Sequence, residues 1–240
     1  MSEAIFVEGL TKTYHGKTVV DHLNLSVKSG TVFGLLGANG AGKSTTIECM
    51  LGTKQAESGT IRLLGQDPKK CRRTLFQRVG VQFQEGDYQK EIKVSELCEE
   101  TACLYRSPAD WRNLCEQFGI GDKANTPVKG LSGGERQRLF IVLALIPQPE
   151  LVFLDELTTG LDAKARHSVW KTLEHLKEQG LTIFLTSHFM DEVEALCDEI
   201  CILKKGTPVF RGTVEQAKQQ CGCERFEDAY LQLSDEEVDA

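Results

Sequence analysis

The stretch Gly37-Ala38-Asn39-Gly40-Ala41-Gly42-Lys43-Ser44, followed by Thr45 and Thr46, holds residue types that can carry phosphate chemistry. It fits the pattern G-x-x-x-x-G-K-[ST] at every fixed position. A backbone that wraps around phosphates needs residues without a Cβ that reach positive φ, and glycine supplies them. The amides of the loop, Asn39 and Thr45 among its members, then turn toward the anion. A helix N-terminus adds partial positive charge, Lys43 adds a full one near the β/γ-phosphates, and the Ser44 hydroxyl suits a Mg²⁺ ligand. A dinucleotide fingerprint fits worse, because the glycines are spaced G-x-x-G-x-G and lead into Lys-Ser.

Two further stretches end in groups that such a cradle could use. Leu151-Val152-Phe153-Leu154 is followed by the carboxylates Asp155 and Glu156, and Leu181 to Thr186 is followed by Ser187-His188. Both apolar runs read as buried parallel strands with polar groups at their carboxyl ends, the edge at which ligands of open α/β sheets collect. Adjacent strand residues point to opposite faces, so Asp155 and Glu156 can have separate jobs, one near Mg²⁺ and the other near an attacking water. A lone histidine is more often structural, but the position of His188 favours function. In Leu131-Ser132-Gly133-Gly134-Glu135-Arg136-Gln137-Arg138, local physics alone reads Ser132 and Glu135 as a helix capping box. Tyr14 could stack on a base, but spacing alone favours a tyrosine half-buried at a sheet edge.

The elements that position these groups follow from periodicity and punctuation. Ala4–Val7 and Thr18–Val27 read as short strands joined by the turn Tyr14-His15-Gly16-Lys17, and Thr31–Leu36 as the strand entering the cradle. Ser44–Leu51 is helical and stops at Gly52. Gly59–Gly65 and Val79–Gln84 are further strands. From Val94 to Phe118 the apolar residues recur at helical intervals, with Ser107-Pro108 as the start signal of a second helix. Asp162 can cap a helix with the stripe Ala165, Val169, Leu173 and Leu176. Ile200–Leu203 and Val209-Phe210 close the sheet, and a helix begins near Thr213.

A chain of 240 residues with 40% hydrophobic and 26% charged residues supports one substantial core or a core plus a subdomain. No apolar run reaches membrane-spanning length and Met1-Ser2-Glu3-Ala4 lacks signal-peptide character, which predicts a cytoplasmic protein. Nine scattered cysteines read as reduced thiols. The net charge of −7 argues against a general nucleic-acid binder.

Taken together, these stretches resemble the ATP-binding cassette (ABC) ATPases over nearly the whole chain. The cradle resembles the Walker A motif, Leu151–Glu156 Walker B, and Leu131–Gln137 the LSGGQ-type signature, with Glu135 in place of the final glutamine. By the same resemblance Gln84 matches the Q-loop glutamine, with Gln82 two residues away as the alternative. Thr158–Asp162 matches the D-loop, His188 the switch histidine, and Tyr14 the aromatic that stacks on adenine. One departure is Leu157, where the family usually has proline; leucine restores an N–H and frees φ.

The resemblance implies an α/β P-loop NTPase (RecA-like) core with an antiparallel β subdomain and a helical subdomain, in a single domain over 1–240. Its expected parts are a nucleotide-binding core at 1–84 and 143–212, a helical subdomain at 85–142 and a helical tail at 213–240. It implies ATP and Mg²⁺ as ligands, the metal held by Ser44, Gln84 and Asp155, with Glu156 and His188 catalytic. ATP would contact Tyr14, Gly37, Asn39, Gly40, Gly42, Lys43, Ser44, Thr45 and Gln84. Across a head-to-tail homodimer or heterodimer it would also meet Ser132, Gly133, Gly134 and Asp162 of the other cassette. The expected partners are membrane-spanning permease subunits on separate chains at the inner face of the cell membrane, and no nucleic acid. The general look is similar to bacterial ABC-2-type exporter subunits, with a soluble cassette ATPase acting on nucleic acid or ribosomes as the alternative.

Overall fold

The computed structural model describes residues 2–82 and 91–234. Strands β1 (Glu3–Tyr14) and β2 (Lys17–Lys28) form an antiparallel hairpin turned at His15 and Gly16, both at positive φ. β1 runs on to Tyr14 rather than stopping near Val7. It absorbs Gly9 through irregular register between Val7 and Leu10, which explains why no simple alternation marks its second half. The buried β3 (Val32–Leu36) leads into the cradle and α1 (Lys43–Met50), after which β4 (Ser58–Leu63) pairs with β1, giving a three-stranded sheet in the order β2-β1-β4.

A short α2 (Arg72–Leu75) and β5 (Val79–Gln82) precede the helical stretch of α3 (Val94–Ala102), α4 (Trp111–Gln117) and α5 (Gly133–Leu145). α4 begins at Trp111, not at Ser107-Pro108. Asp110 caps it, accepting from the Arg112 amide at 3.0 Å, because a carboxylate one residue before the apolar face satisfies an orphan N–H that Ser107 is too far back to reach. β6 (Leu151–Leu154), α6 (Ala163–Glu178), β7 (Thr182–Thr186), α7 (Met190–Leu196), β8 (Glu199–Lys204), β9 (Thr207–Gly212), α8 (Val214–Cys221) and α9 (Phe226–Ser234) complete the chain. α7 ends before Cys197, so Cys197 and Cys201 share no helix. No helix among the described residues is long and apolar enough to cross a membrane.

The central sheet has the order β5-β6-β7-β3-β8-β9, parallel except for the last pair. Its register is pinned by a ladder of phenylalanines, one on each of three neighbouring strands. Phe33 pairs with Phe184 (ring centroids 5.6 Å apart, stacked), and Phe184 with Phe153 (5.3 Å). All three are fully buried, each pair adding about 0.5–1.5 kcal/mol beyond the area it buries. A one-residue slip would turn the whole ladder to the other face. On the ladder's side the sheet packs on α1 and the antiparallel sheet; on the other side Val152, Leu154, Ile183 and Leu185 pack with α3–α6. Both faces are thus covered, as parallel strands require. The carboxyl ends of β3, β6 and β7 lie side by side.

Candidate functional site

At the end of β3 the chain turns through Gly37 and reaches α1 at Lys43. A Cβ on Gly37 would lie 2.4 Å from the Leu203 carbonyl oxygen, and one on Gly42 would lie 2.6 Å from that of Val19. With φ of +145° and +104°, both positions exclude other residues on steric and conformational grounds. Gly40 and Asn39 stand exposed at the rim, where a Cβ on Gly40 meets nothing within 4 Å. Lys43 is buried, its Nζ lying inside the curve of the loop and donating to the carbonyls of Gly37 (2.5 Å) and Ala38 (3.2 Å). Ser44 and Thr45 follow in the first turn of α1, and Ser44 Oγ is 3.5 Å from Asp155 Oδ2.

Asp155 and Glu156 lie just past β6, and what separates them is a turn rather than strand alternation. Glu156 has φ +52°, left-handed for a non-glycine residue. Its Oε1 is 3.4 Å from His188 Nε2, and Thr159 Oγ1 donates to its Oε2 at 3.4 Å. Thr186, at the carboxyl end of β7, joins the two acids: its hydroxyl donates to Asp155 Oδ1 at 2.5 Å and accepts from the Glu156 amide at 2.9 Å. Sequence reasoning used Thr186 only as a strand terminus. The signal it missed was a hydroxyl at the carboxyl edge of a buried strand. Leu157 is fully buried and donates its N–H to Thr186 O at 3.4 Å, so a proline there would remove a bond that is made.

Gln82 Nε2 donates to the Asp155 carbonyl at 3.1 Å. Gln84 lies outside the described residues. Ser44, Asp155, Glu156 and His188 therefore converge on one edge, with Lys43 behind them. A hydroxyl and a carboxylate 3.5 Å apart at the mouth of a glycine loop form a hard-oxygen pair that suits Mg²⁺.

The remaining candidates form separate groups. Ser132 caps α5, its Oγ accepting from the Glu135 amide (3.2 Å) while Glu135 Oε2 accepts from the Ser132 amide (2.8 Å). The Ser132 amide, the Lys123 ammonium and the Ser132 hydroxyl hold the Glu135 carboxyl down to about 2. Gly133 and Gly134 form the first turn of α5. A Cβ on Gly133 meets nothing within 4 Å, whereas one on Gly134 would sit 3.1 Å from Leu161 Cδ2 and 3.2 Å from Gly160 O. Gln137, one turn further on, donates from Nε2 to the carbonyls of both Glu156 (3.0 Å) and Leu157 (2.9 Å). Asp162 caps α6, accepting from the Ala165 amide at 2.8 Å. Tyr14 sits on the antiparallel sheet, with Lys12 Nζ 4.8 Å and Lys54 Nζ 5.6 Å from its ring centroid.

Behind the acids, Glu192 of α7 is fully buried, and its Oε1 accepts from Thr158 Oγ1 (2.6 Å) and Trp170 Nε1 (3.0 Å). Burial pushes its pKa up, opposed by those bonds, by Ser187 and by the charge of Arg166. It ties the turn after Glu156 to the segment after His188. Its signal in the sequence was an acid beside the apolar Val193 and Leu196.

A family model for ABC transporters matches residues 20–159. The Nod factor export ATP-binding protein I of Ralstonia nicotianae is 40% identical over 227 residues, covering 92% of this chain and 71% of that one. The daunorubicin/doxorubicin resistance ATP-binding protein DrrA of Streptomyces peucetius is 35% identical over 226 residues, covering 92% and 68%. A solved ATP binding subunit of an ABC transporter superposes with a TM-score of 0.87 at 25% identity, covering 96% of this chain and 99% of that one.

Proposed function

The chain belongs to the ABC transporter family as an ATP-binding, ATP-hydrolysing member, and from that premise we propose that it powers export through separate membrane-spanning subunits. Two cassettes would pair head to tail, each ATP bound by Lys43 and the loop of one chain and by Ser132–Gly134 of the other. The observation that carries the catalytic reading is the convergence of Ser44 on Asp155 at 3.5 Å and of Glu156 on His188 at 3.4 Å, at one edge of the sheet. Export is favoured by the two relatives named for Nod factor export and for drug resistance. Leu104, 72% exposed beside Tyr105 in a groove bordered by Arg73, Thr74 and Gln77, offers a membrane partner an apolar anchor at the cytoplasmic face.

In this reading Lys43 and the loop amides hold the β- and γ-phosphates, and the exposed Asn39 and Gly40 with the half-buried Thr45 complete the rim. Tyr14 takes the base, its ring flanked by the Lys12 and Lys54 ammonium groups. Ser44 and Asp155 would hold Mg²⁺, with Gln84 as a third ligand, and the metal would neutralise charge developing on the phosphate oxygens. Glu156 orients a water in line with the γ-phosphorus and takes its proton as the new P–O bond forms; the bond to the bridging oxygen breaks and ADP leaves. His188 holds the γ-phosphate, and Thr186 fixes Asp155 and the Glu156 backbone. Asp162 keeps the turn beside the partner's nucleotide in place by capping α6.

Glu156→Gln tests this. The amide keeps the size of the side chain but cannot take the proton, so ATP should bind without turning over. The variant should then shift to a dimer with ATP in size-exclusion chromatography, and adding Ser132→Arg should abolish the shift. Hydrolysis at the wild-type rate removes Glu156 from the mechanism. An inactive variant that stays monomeric with ATP keeps the catalytic assignment and moves the requirement for pairing to the membrane subunits.

A further inference from the structure

Glu156 occupies a left-handed backbone conformation that nothing in its own residue type favours. It is held from two sides. From β7, Thr186 accepts the Glu156 N–H on its hydroxyl and the Leu157 N–H on its carbonyl. From α5, the two hydrogens of the Gln137 amide go to the Glu156 and Leu157 carbonyls at 3.0 and 2.9 Å. The peptide planes flanking the carboxylate are therefore clamped between a strand and a helix. Gln137 suits the second clamp because one nitrogen carries two donors, matching two carbonyls that have lost strand pairing.

We propose that Gln137 is a positioning residue for Glu156 and that, through α5, it links the aim of this carboxylate to the Ser132–Gly134 turn of the same chain. The proposal rests on Glu156 being the catalytic carboxylate. A second contact joins the same pieces. The first turn of α5 lies against the far end of the loop that starts at Glu156, where Gly134 leaves room for Gly160 O and Leu161. α5 therefore grips the loop at both ends, and a load on Ser132–Gly134 reaches Glu156 through one helical turn and one side chain. A carboxylate stands roughly 4 Å from its Cα, so a tilt of about 15° moves it by about 1 Å, and a misplacement of about 1 Å costs about 100-fold in rate.

The test separates turnover from binding. Gln137→Met keeps the length without donors, and Gln137→Glu sets a carboxylate against two carbonyls. Both should lower kcat by about 10- to 100-fold while the ATP Kd, from equilibrium titration of the purified chain, stays within about twofold. Gln137→Lys, which keeps donors at similar reach, should recover most of the loss. Wild-type kcat in Gln137→Met overturns the proposal. So does a Kd weakened in step with kcat, or a Gln137→Lys no better than Gln137→Met. Should Gln137→Met fail to fold, Gln137→Asn, too short to reach both carbonyls, carries the same expectation and the same refutation. Glu156→Gln run in parallel distinguishes the failures. If it hydrolyses ATP at the wild-type rate, the catalytic assignment falls; if it is inactive while Gln137→Met is not impaired, only the positioning role falls.

Discussion

The chain has two glycine-bearing turns that each open a helix, at 37–44 and at 131–138, and they use glycine for opposite ends. In the first, Gly37 and Gly42 are dictated from inside: the Leu203 and Val19 carbonyls occupy the space a Cβ would take. In the second, Gly133 stands open at the surface, where an added Cβ would meet nothing within 4 Å among the described residues, and Ser132 and Glu135 complete an ordinary capping box beside it. No contact among the described residues calls for glycine at Gly133, and in the proposed head-to-tail pair a partner that approaches the backbone closely would. The first turn is shaped by its own fold, and in the proposed pairing the second is left bare for the partner cassette.

The sharpest way to break this contrast is a pair of alanine substitutions. Gly37→Ala should destabilise the protein by about 3 kcal/mol or more, since the Cβ would sit 2.4 Å from a backbone oxygen at a positive φ. Gly133→Ala should leave thermal stability unchanged or raise it by up to about 1 kcal/mol, while ATP hydrolysis falls. Equal losses of stability in the two variants would erase the distinction. Next in size, Lys43→Ala should weaken ATP binding by about 2 kcal/mol with the fold intact, because it removes charge-assisted bonds to phosphate. Ser132→Ala should instead cost about 1 kcal/mol of stability and leave the ATP affinity of the isolated chain alone. Unchanged affinity in Lys43→Ala would sink the cradle assignment.

The smallest effect concerns pH. The Glu135 carboxyl is held down to about 2 from an ordinary 4.5, first by the Ser132 amide and then by Lys123. A depressed carboxylate stabilises the folded state above its unfolded pKa, and the contribution is lost as pH falls from about 4.5 toward 2. Glu135→Gln keeps an acceptor for the Ser132 amide but loses the charge opposite Lys123. The wild type should therefore exceed it by a few tenths to about 1 kcal/mol at neutral pH, discounted for solvent screening, and the gap should close at low pH in paired thermal melts. A gap that persists unchanged at pH 2 would show that Lys123 and the capping box are not coupled through charge.

The cradle, the buried strands and the caps at Ser132 and Asp162 were legible because each depends on a few neighbouring residues: glycine where φ is positive, apolar runs between breakers, a hydroxyl or carboxylate before a helix. What stayed hidden was long-range. Thr186 reads as a strand former, Gln137 as one more polar residue on a helix, and Glu192 as a surface acid; each acquires its role from a carbonyl, amide or hydroxyl more than fifteen residues away. Glu156 misled in a different way. Strand alternation predicted its direction from Asp155, but the strand ends at Leu154 and a left-handed turn takes over. The charge placed over Tyr14 by Lys12 and Lys54 depends on the register of β1 and the exit of α1, neither of which is marked by spacing.

The strand order carries a consequence for how the chain is made. β3, which ends at Leu36 and launches the phosphate loop, lies between β7 and β8 in the sheet, and β7 begins at Thr182. During synthesis at about 5–20 residues per second, β3 leaves the ribosome roughly 7–30 seconds before its first strand partner. The hairpin of β1 and β2 has no such wait. For that interval Val32, Phe33, Leu35 and Leu36, destined for the interior, lack the sheet that will cover them, and Phe33 lacks both other rungs of its ladder. The newborn chain is therefore open to chaperones until β7 and β8 have emerged beside β3.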